Sequence, residues 1–385
     1  MRIGILTQSM AANYGCNLQA YALQTSLERL GHEVEILDRW DECANMPHRN
    51  HIINKLRRFF KDCVKFILLR PIYHAIDEKK RPYFWQHFLR FQKENLHLTK
   101  KLRSSTEMKA YTSQYRFDAY VVGSDQVWRP TYNLGDKLFD MYLAFADGQQ
   151  VKRLSYAASF GVDKWEYSDD QTRICSELAK QFDAISVREK SGVKLCADNL
   201  GVDAIHVLDP TMLLDPSDYN KLIGKQISDK TTGGGLFCYI LDSSAQSLQT
   251  IDYVEQTTGL KRFTCLPLVP ENTYNVFHKK NSILPSPEEW LRCFRNAEMV
   301  LVDSFHGMVF SIIYNKPFWV IENSKRGMSR FQSLLSLFGL ENRLVTVEQI
   351  RCVELTQPIE WESINALRLE LKEKSIEYLI RALQK

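Results

Sequence analysis

Several patterns that would place this chain of 385 residues in a common class are missing from it. No apolar stretch reaches the ~20 residues that a membrane-spanning helix needs. The nine cysteines are scattered and include no CxxC pair, so neither a disulfide framework nor a zinc ribbon is indicated. The GxGxxG, P-loop and HExxH motifs are absent, which removes three frequent signatures of dinucleotide, nucleotide and zinc sites.

The sequence also offers little support for a bound metal. The one cluster of suitable ligand types is Cys43, His48 and His51, which lacks a fourth ligand at standard spacing, so we interpret it as a polar loop rather than a zinc site. We therefore expect no metal and no cofactor. The chain opens directly on a strand pattern rather than a signal peptide, and we expect a cytoplasmic protein.

Positive charge is concentrated in one segment. The formal net charge is only +4, yet residues 48–103 contain 15 Lys and Arg against 4 Asp and Glu. Within it, residues 55–68 place apolar side chains at helical spacing and basic ones on the remaining surface, which predicts a basic amphipathic helix. Such a helix either packs on its own domain or contacts an anionic membrane at the inner face. No nucleic-acid-binding motif accompanies the charge, so we expect no nucleic-acid partner.

Strands and helices alternate along the whole chain, which predicts an α/β protein of two domains. We predict a first domain over 1–215, with a basic helical insertion at about 45–110, and a second over 216–362. A run of turn formers before the strand pattern at Leu236 marks the start of the second alternation. The last segment, 363–385, has helical periodicity and is expected to pack back on the first domain.

Polar residues follow the carboxyl ends of predicted strands, where open α/β sheets bind ligands. In the second half, the stretch Asp303 to Gly307 precedes a predicted helix, whose N–H groups and positive dipole end would face a phosphate or carboxylate, with His306 at the rim. The alternative is that Asp303 or Ser304 caps the helix and His306 is structural. We take Ser304, His306 and Gly307 as candidate site residues.

A second basic group follows the strand predicted at residues 318–321. Lys325, Arg326 and Arg330 would clamp an anionic donor, or they form an exposed basic loop; Arg330, beside an apolar residue, is the best candidate to point inward. In the first half, Arg188 and Glu189 at a strand end are either a substrate arginine with its orienting carboxylate or a surface ion pair.

The first half also contains two candidate sites for a sugar. Side-chain hydroxyl, carboxylate and amide groups can form hydrogen bonds with sugar hydroxyls, and the indole of Trp128 could stack on a sugar ring. The alternative for residues 123–128 is the capped start of a helix, with Trp128 in the core. The candidate acceptor-binding residues are Asn13, Tyr14, Gln19, Ser124, Asp125, Gln126 and Trp128.

Taken together in their order, these motifs resemble the polysaccharide pyruvyl transferase family. Each motif is weak alone, but the ordered set is specific and spans nearly the whole chain, with the poorest match over 41–110. The matching pieces are Asn13-Tyr14-Gly15, Leu18 to Leu23, Gly123 to Trp128, Ser155 to Ser159, Val187-Arg188-Glu189, Asp209-Pro210-Thr211, Asp303 to Gly307 and Arg330-Phe331.

The resemblance implies a GT-B-like fold, in which two Rossmann-like domains face a cleft. It further implies that the first domain binds the acceptor and the second the donor. The reaction would transfer a pyruvyl group from phosphoenolpyruvate, as co-substrate, to hydroxyls of a sugar in a cell-surface polysaccharide or its lipid-linked precursor, forming a ketal and releasing phosphate. His306 and Arg188 fall on the family's catalytic positions.

One position departs from the family pattern. Better-studied members have an arginine two residues before the histidine, and Ser304 stands there in this chain. Arg330 or Lys325 would replace its charge. Two other functions remain open: a GT-B glycosyltransferase that uses a nucleotide sugar, and a non-catalytic glycan-binding relative.

Overall fold

A computed structural model of the chain describes residues 1–40, 71–224, 234–242, 244–267, 269, 273–322 and 327–384. The predicted basic helix at 55–68 and the Cys43, His48 and His51 cluster lie outside these residues. So do Lys325 and Arg326.

The first domain is built on a parallel sheet of short, apolar strands. The order is β2-β1-β4-β5, and isolated bridges from Leu154 and Ala158 continue it into the parallel pair β6-β7. Both faces are covered by helices, which is why β4 consists of four buried residues. The strands are β1 (Arg2–Leu6), β2 (Glu33–Leu37), β4 (Ala119–Val122), β5 (Lys152–Ser155), β6 (Ser186–Val187) and β7 (Ile205–His206).

The second domain repeats this arrangement. Its sheet is parallel with the order β13-β12-β11-β8-β9, and the central strands β8, β11 and β12 are buried throughout. The strands are β8 (Leu236–Tyr239), β9 (Arg262–Phe263), β11 (Met299–Val302), β12 (Phe318–Ile321) and β13 (Leu344–Val345).

Thirteen α-helices cover these sheets in the described part of the chain. Most of the longer ones start at a side-chain cap; Ser168, Ser244 and Ser286, for example, each accept a hydrogen bond from the first turn. The helices are α1 (Tyr14–Arg29), α2 (Arg81–Phe84), α3 (Gln86–Asn95), α4 (Ser105–Gln114), α5 (Asp136–Asp140), α6 (Asp169–Ala179), α7 (Lys190–Leu195), α8 (Pro216–Ile223), α9 (Ala245–Thr258), α10 (Pro287–Asn296), α11 (Phe305–Ile313), α12 (Ser329–Phe338) and α13 (Trp361–Gln384).

The two domains are joined at several places. A two-stranded antiparallel sheet pairs β3 (Tyr73–Ala75), from the first domain's insertion, with β10 (Thr273–Asn275), from a loop of the second. On α1, the ring of Tyr14 stacks on Trp290 of α10 with centroids 5.3 Å apart. The last helix, α13, returns to the first domain, where the Tyr378 hydroxyl donates to the carbonyl of Ser155 at 2.8 Å.

Candidate functional site

The N-terminal ends of two helices, one from each domain, meet in the cleft. In α1, the side chain of Asn13 caps the first turn by accepting from the amide of Cys16 at 3.0 Å. In α11, His306 lies in the first turn, and a Cβ atom on Gly15 would stand only 2.0 Å from its Nδ1 atom. Glycine at position 15 therefore lets the imidazole approach α1. The positive ends of both helix dipoles converge on this point, which favours an anion there.

Asp209 is the centre of a buried polar network beside the imidazole. Its Oδ2 atom accepts from the Ser124 hydroxyl at 2.8 Å and from Arg188 Nη1 at 3.0 Å, and lies 3.6 Å from His306 Nε2. Its Oδ1 atom accepts from the amide and hydroxyl of Thr211 at 3.0 and 2.6 Å. Burial opposes ionisation, but His306, Arg188 and Thr211 outweigh it and hold the pKa of Asp209 well below its usual range. Asp209 is therefore an anion that orients both the imidazole and the guanidinium.

Two arginines from different domains flank one aromatic ring. Arg188, at the end of β6, has its Cζ atom 4.4 Å from the Phe305 ring centroid, and Arg330, in α12, has its Cζ atom 5.7 Å from the same centroid. Both side chains are buried. Burial, and after it the neighbouring Arg188 guanidinium, lower the pKa of Arg330 to about 10. Two cations buried this closely repel each other, and a bound anion would relieve that repulsion.

Arg188 and Glu189 do not form the surface ion pair that one interpretation of the sequence allowed, because both side chains are buried. Glu189 instead accepts hydrogen bonds from the Ser159 hydroxyl and from the amides of Phe160 and Gly161, which fixes the loop after β5. Burial raises the pKa of Glu189. The carboxylates that orient Arg188 are Asp209 and, at 3.6 Å from Nη2, Asp125.

Two of the candidate acceptor residues lie in the cleft. Ser124 joins the Asp209 network, and Asp125 is partly exposed beside Arg188. Asp125 has a φ of 74°, an uncommon conformation for a residue other than glycine, which directs its side chain at the end of β4. The structure thus places a hydroxyl and a carboxylate at this strand end.

Trp128 cannot present a face to a sugar, and that prediction is wrong. The side chain has no exposed surface, its ring stacks on Tyr142 with centroids 4.9 Å apart, and its Nε1 donates to the carbonyl of Met141. The alternative interpretation, a core tryptophan, describes it. An indole has the largest apolar surface of any side chain, so a hydrophobic pocket with one carbonyl partner for its N–H group explains why Trp128 is buried.

The remaining candidate acceptor residues differ in exposure. Asn13 is exposed at the cap of α1, and Gln126 is partly exposed, with its side-chain oxygen accepting from Arg129 Nη1 at 3.0 Å. Tyr14 is buried between the domains, and its hydroxyl donates to the carbonyl of Pro285 at 3.0 Å. Gln19 is fully buried and donates to the Thr7 hydroxyl, so Tyr14 and Gln19 are structural rather than sugar-contacting.

Two of the donor-side candidates, Ser304 and Gly307, have structural roles at the start of α11. The Ser304 hydroxyl accepts from the amide of Gly307 at 3.1 Å, so Ser304 is the helix N-cap that the alternative interpretation described. A Cβ on Gly307 would lie 2.9 Å from Val302 Cγ1, so this glycine serves close packing of α11 on β11. Because the cap is at Ser304, the helix starts at Phe305, and His306 lies inside it rather than before it.

Three residues that contribute to the site were not among the candidates predicted from the sequence. Asp209, Gly15 and Phe305 appeared only as members of the motifs that resemble the family, and none was assigned to the site. The available signals were an acidic residue directly after a strand pattern and a glycine at a helix start. Neither signal reveals that the partners come from the other domain. Within the described residues, no three His, Cys, Asp or Glu side chains gather as metal ligands.

Comparison with known proteins gives both a family and a fold. The model of the polysaccharide pyruvyl transferase family matches residues 13–325. No curated protein matches the sequence. Among solved structures, Arabidopsis thaliana UGT89C1 complexed with UDP is similar with a TM-score of 0.53 at 9% identity, over 100% of both chains. Rickettsia bellii UDP-N-acetylglucosamine 2-epimerase gives 0.52 at 8%, over 100% of this chain and 97% of that one.

A third solved structure, Methanocaldococcus jannaschii UDP-GlcNAc 2-epimerase in complex with UDP-GlcNAc and UDP, gives a TM-score of 0.50 at 11% identity, over 96% of this chain and 99% of that one. These likenesses confirm the predicted fold, the α/β GT-B architecture of glycosyltransferases and epimerases. Among the helices that the structure describes, none combines the length and the apolar character that crossing a bilayer requires.

Proposed function

Because the chain belongs to the polysaccharide pyruvyl transferase family and is a transferase enzyme, we propose that it transfers a pyruvyl group from phosphoenolpyruvate to two hydroxyls of a sugar. The acceptor is a cell-surface polysaccharide or its lipid-linked precursor. One observation carries the proposal: the imidazole of His306 stands between the N-terminal ends of two helices, next to a buried carboxylate and the arginine pair. Such a site suits a small substrate with a carboxylate and a phosphate.

The chemistry needs an acid at one carbon atom of the donor. A protonated His306 donates to the methylene carbon, which becomes a methyl group, while a sugar hydroxyl attacks the adjacent carbon and loses its proton. A second hydroxyl then displaces phosphate from that carbon and closes the ketal. Asp209 supports the first step because its Oδ2 atom, 3.6 Å from Nε2, orients the imidazole.

The arginines are assigned to the two anionic groups of the donor. Arg188 is held by Asp209 and Asp125, so its orientation is fixed before substrate binds. Arg330 enters from the other domain and approaches the same aromatic ring, Phe305. We assign to Arg330 the charge that other members supply two residues before the histidine, where this chain has the helix cap Ser304.

Donor binding is the first test, because it does not require knowledge of the acceptor. The purified protein is titrated calorimetrically with phosphoenolpyruvate and with a panel of UDP-sugars. Arg330→Gln should weaken phosphoenolpyruvate binding about tenfold or more. The matched control is Arg343→Gln, because Arg343 is equally buried but stacks on Trp319 away from the cleft. His306→Asn should keep donor binding within a few fold and abolish turnover once an acceptor is found.

The outcomes separate the competing functions. Saturable phosphoenolpyruvate binding that only the Arg330 variant weakens supports the pyruvyl transfer. Binding of a nucleotide sugar alone would contradict pyruvyl transfer and favour the alternative, a glycosyltransferase that uses a nucleotide sugar. Binding of neither donor would contradict both and leave a non-catalytic glycan-binding relative.

We also propose that the protein works in the cytoplasm at the inner face of the membrane, with the basic segment 55–68 as the contact. The support is the sequence, in which basic residues surround an apolar helical stripe. Flotation with anionic liposomes should be lost when Arg57 and Arg58 are both changed to Glu. Unchanged flotation of that double variant would remove the membrane contact from the proposal.

A further inference from the structure

The proposed reaction leaves one proton without a recipient. The attacking sugar hydroxyl loses its proton while His306 donates another to the methylene carbon, so the site needs a base that is distinct from the imidazole. A carboxylate can fill that role, since Asp and Glu are common general bases. The carboxylates of Asp125, Glu189 and Asp209 lie close to Arg188 in the cleft.

Two of these three carboxylates are out of reach of a sugar. The side chain of Asp209 has no exposed surface, and both of its oxygens accept hydrogen bonds. Glu189 is also fully buried, and it accepts from the amides of the loop after β5. The side chain of Asp125, in contrast, is 15% exposed. Asp125 is therefore the carboxylate of the three that an acceptor hydroxyl can reach.

The carboxylate of Asp125 keeps one oxygen free. Its Oδ1 atom accepts from the amide of Gln126 at 2.8 Å and lies 3.6 Å from Arg188 Nη2, which is longer than a hydrogen bond. Among the residues that the structure describes, its Oδ2 atom has no hydrogen-bond partner. A carboxylate oxygen with unused lone pairs can accept a hydrogen bond from a hydroxyl group and then take its proton.

The backbone of Asp125 is held in a conformation that favours glycine. Its φ is 74°, and its carbonyl oxygen accepts from the amides of Val127 and Ser159 at 2.7 and 3.1 Å. Glycine would adopt this conformation without strain. A strained residue at a cleft indicates a function for its side chain, and here that side chain is a partly exposed carboxylate.

The carboxylate of Asp125 and the imidazole of His306 are linked to different nitrogen atoms of Arg188. Its Nη1 atom belongs to the hydrogen-bond network beside the imidazole, and its Nη2 atom faces Asp125. The first turn of α1 is close to both groups. Burial, and after it the Asp125 carboxylate, raise the pKa of the Cys16 thiol, and the preceding Gly15 touches the imidazole. A donor bound to this guanidinium would therefore lie between an acid and a carboxylate.

We propose that Asp125 is the general base that takes the proton of the attacking sugar hydroxyl, an assignment that rests on the proposed function. In the first step, the hydroxyl oxygen bonds to the carbon that carries the phosphate, its proton passes to Asp125, and His306 donates a proton to the methylene carbon. In the second step, another hydroxyl oxygen bonds to the same carbon and gives its proton to the neutral His306, while phosphate leaves with the proton of Asp125. Both side chains thereby return to their starting states.

The test does not need the acceptor, because water can replace the sugar hydroxyl. The full chain is incubated with phosphoenolpyruvate alone, and slow release of phosphate and pyruvate is expected, since water adds to the same carbon and the adduct collapses to these products. Asp125→Asn should lower the rate of release about a hundredfold or more. Calorimetry should show phosphoenolpyruvate affinity within a few fold of wild type. A residue that only positions Arg188 would lose donor affinity instead.

A second variant and a matched control complete the design. Asp125→Gly should fold, because glycine adopts the backbone conformation at this position without strain. Added formate should restore part of the phosphate release in this variant by occupying the place of the lost carboxylate. The control is Glu35→Gln, which removes another partly exposed carboxylate beside an arginine, in this case Arg2 at the amino end of the sheet. Its rate of release should equal that of wild type.

Each outcome decides the assignment. Slow release in both Asp125 variants, with donor affinity kept and with rescue of Asp125→Gly by formate, supports the base. Unchanged release, an equal loss in Glu35→Gln, a loss of donor affinity that explains the slower release, or the absence of rescue overturns it. Absence of release from a wild-type protein that binds the donor also overturns it. If the wild type does not bind phosphoenolpyruvate, the proposed function itself fails, and the calorimetric titration distinguishes that case.

Discussion

Replacing Asp209 with Asn should destabilise the protein by about 3–5 kcal/mol at neutral pH, because it breaks a buried ion pair and leaves its cation in place. In the wild-type protein, both carboxylate oxygens of Asp209 only accept hydrogen bonds. Oδ1 accepts from the amide of Thr211 and Oδ2 from Arg188 Nη1. An asparagine NH₂ group at either position would oppose an N–H donor that cannot rotate away.

The sign of the pH dependence follows from the lowered pKa of Asp209 in the folded protein. The pKa of an aspartate in an unfolded chain is about 3.9. The stabilisation by ionised Asp209 is therefore complete above about pH 4 and is lost as the pH falls towards the lower pKa of the folded state. The difference between wild type and Asp209→Asn should be constant near neutral pH and should shrink in acid.

Urea unfolding followed by tryptophan fluorescence, at about pH 7 and about pH 3.5, measures both quantities. Asp140→Asn is the control, because Asp140 is also buried and accepts from Arg39 Nε at 2.6 Å, away from the imidazole. Burial raises the pKa of Asp140. The difference in unfolding free energy between wild type and Asp140→Asn should therefore not shrink in acid. A cost below about 1 kcal/mol for Asp209→Asn, or the same cost at both pH values, would refute the reasoning.

Three more predictions concern the cleft and its surroundings. Gly15→Ala should displace the imidazole of His306 and lower turnover about tenfold or more once an acceptor is found, with donor affinity kept within a few fold; unchanged turnover would contradict the contact. Phosphoenolpyruvate affinity should fall as the pH rises through about 10, where Arg330 loses its proton, and this dependence should vanish in Arg330→Gln. Trp128→Ala should cost about 3–5 kcal/mol in urea unfolding without changing donor affinity, which a sugar-stacking role would not allow.

The sequence predicted the elements of the fold well where their patterns are local. The strand at 318–321 has the predicted limits, since an apolar run defines it. The helix after Asp303 was predicted to begin at Met308 and begins at Phe305, because the Ser304 hydroxyl caps it earlier than the apolar pattern suggests. The β3–β10 pairing was not predicted, since its strands lie about 200 residues apart and have no alternating pattern.

The sequence predicted which residues form the site better than it predicted how they are arranged. Arg188, His306 and Ser124 were identified from their motifs, and the structure brings them together at Asp209. Whether a polar or aromatic residue faces a cleft or the core depends on contacts distant in sequence. Trp128 was therefore misassigned.

The pairing of β3 with β10 has a consequence for how this protein can vary among its relatives. Each strand belongs to a loop that interrupts its own domain, and each supplies the hydrogen-bonding partner that the other requires. A deletion or insertion in one of these loops would leave a strand with an open edge unless the other changed as well. The two loops should therefore be inherited together, lengthening, shortening or disappearing as a pair.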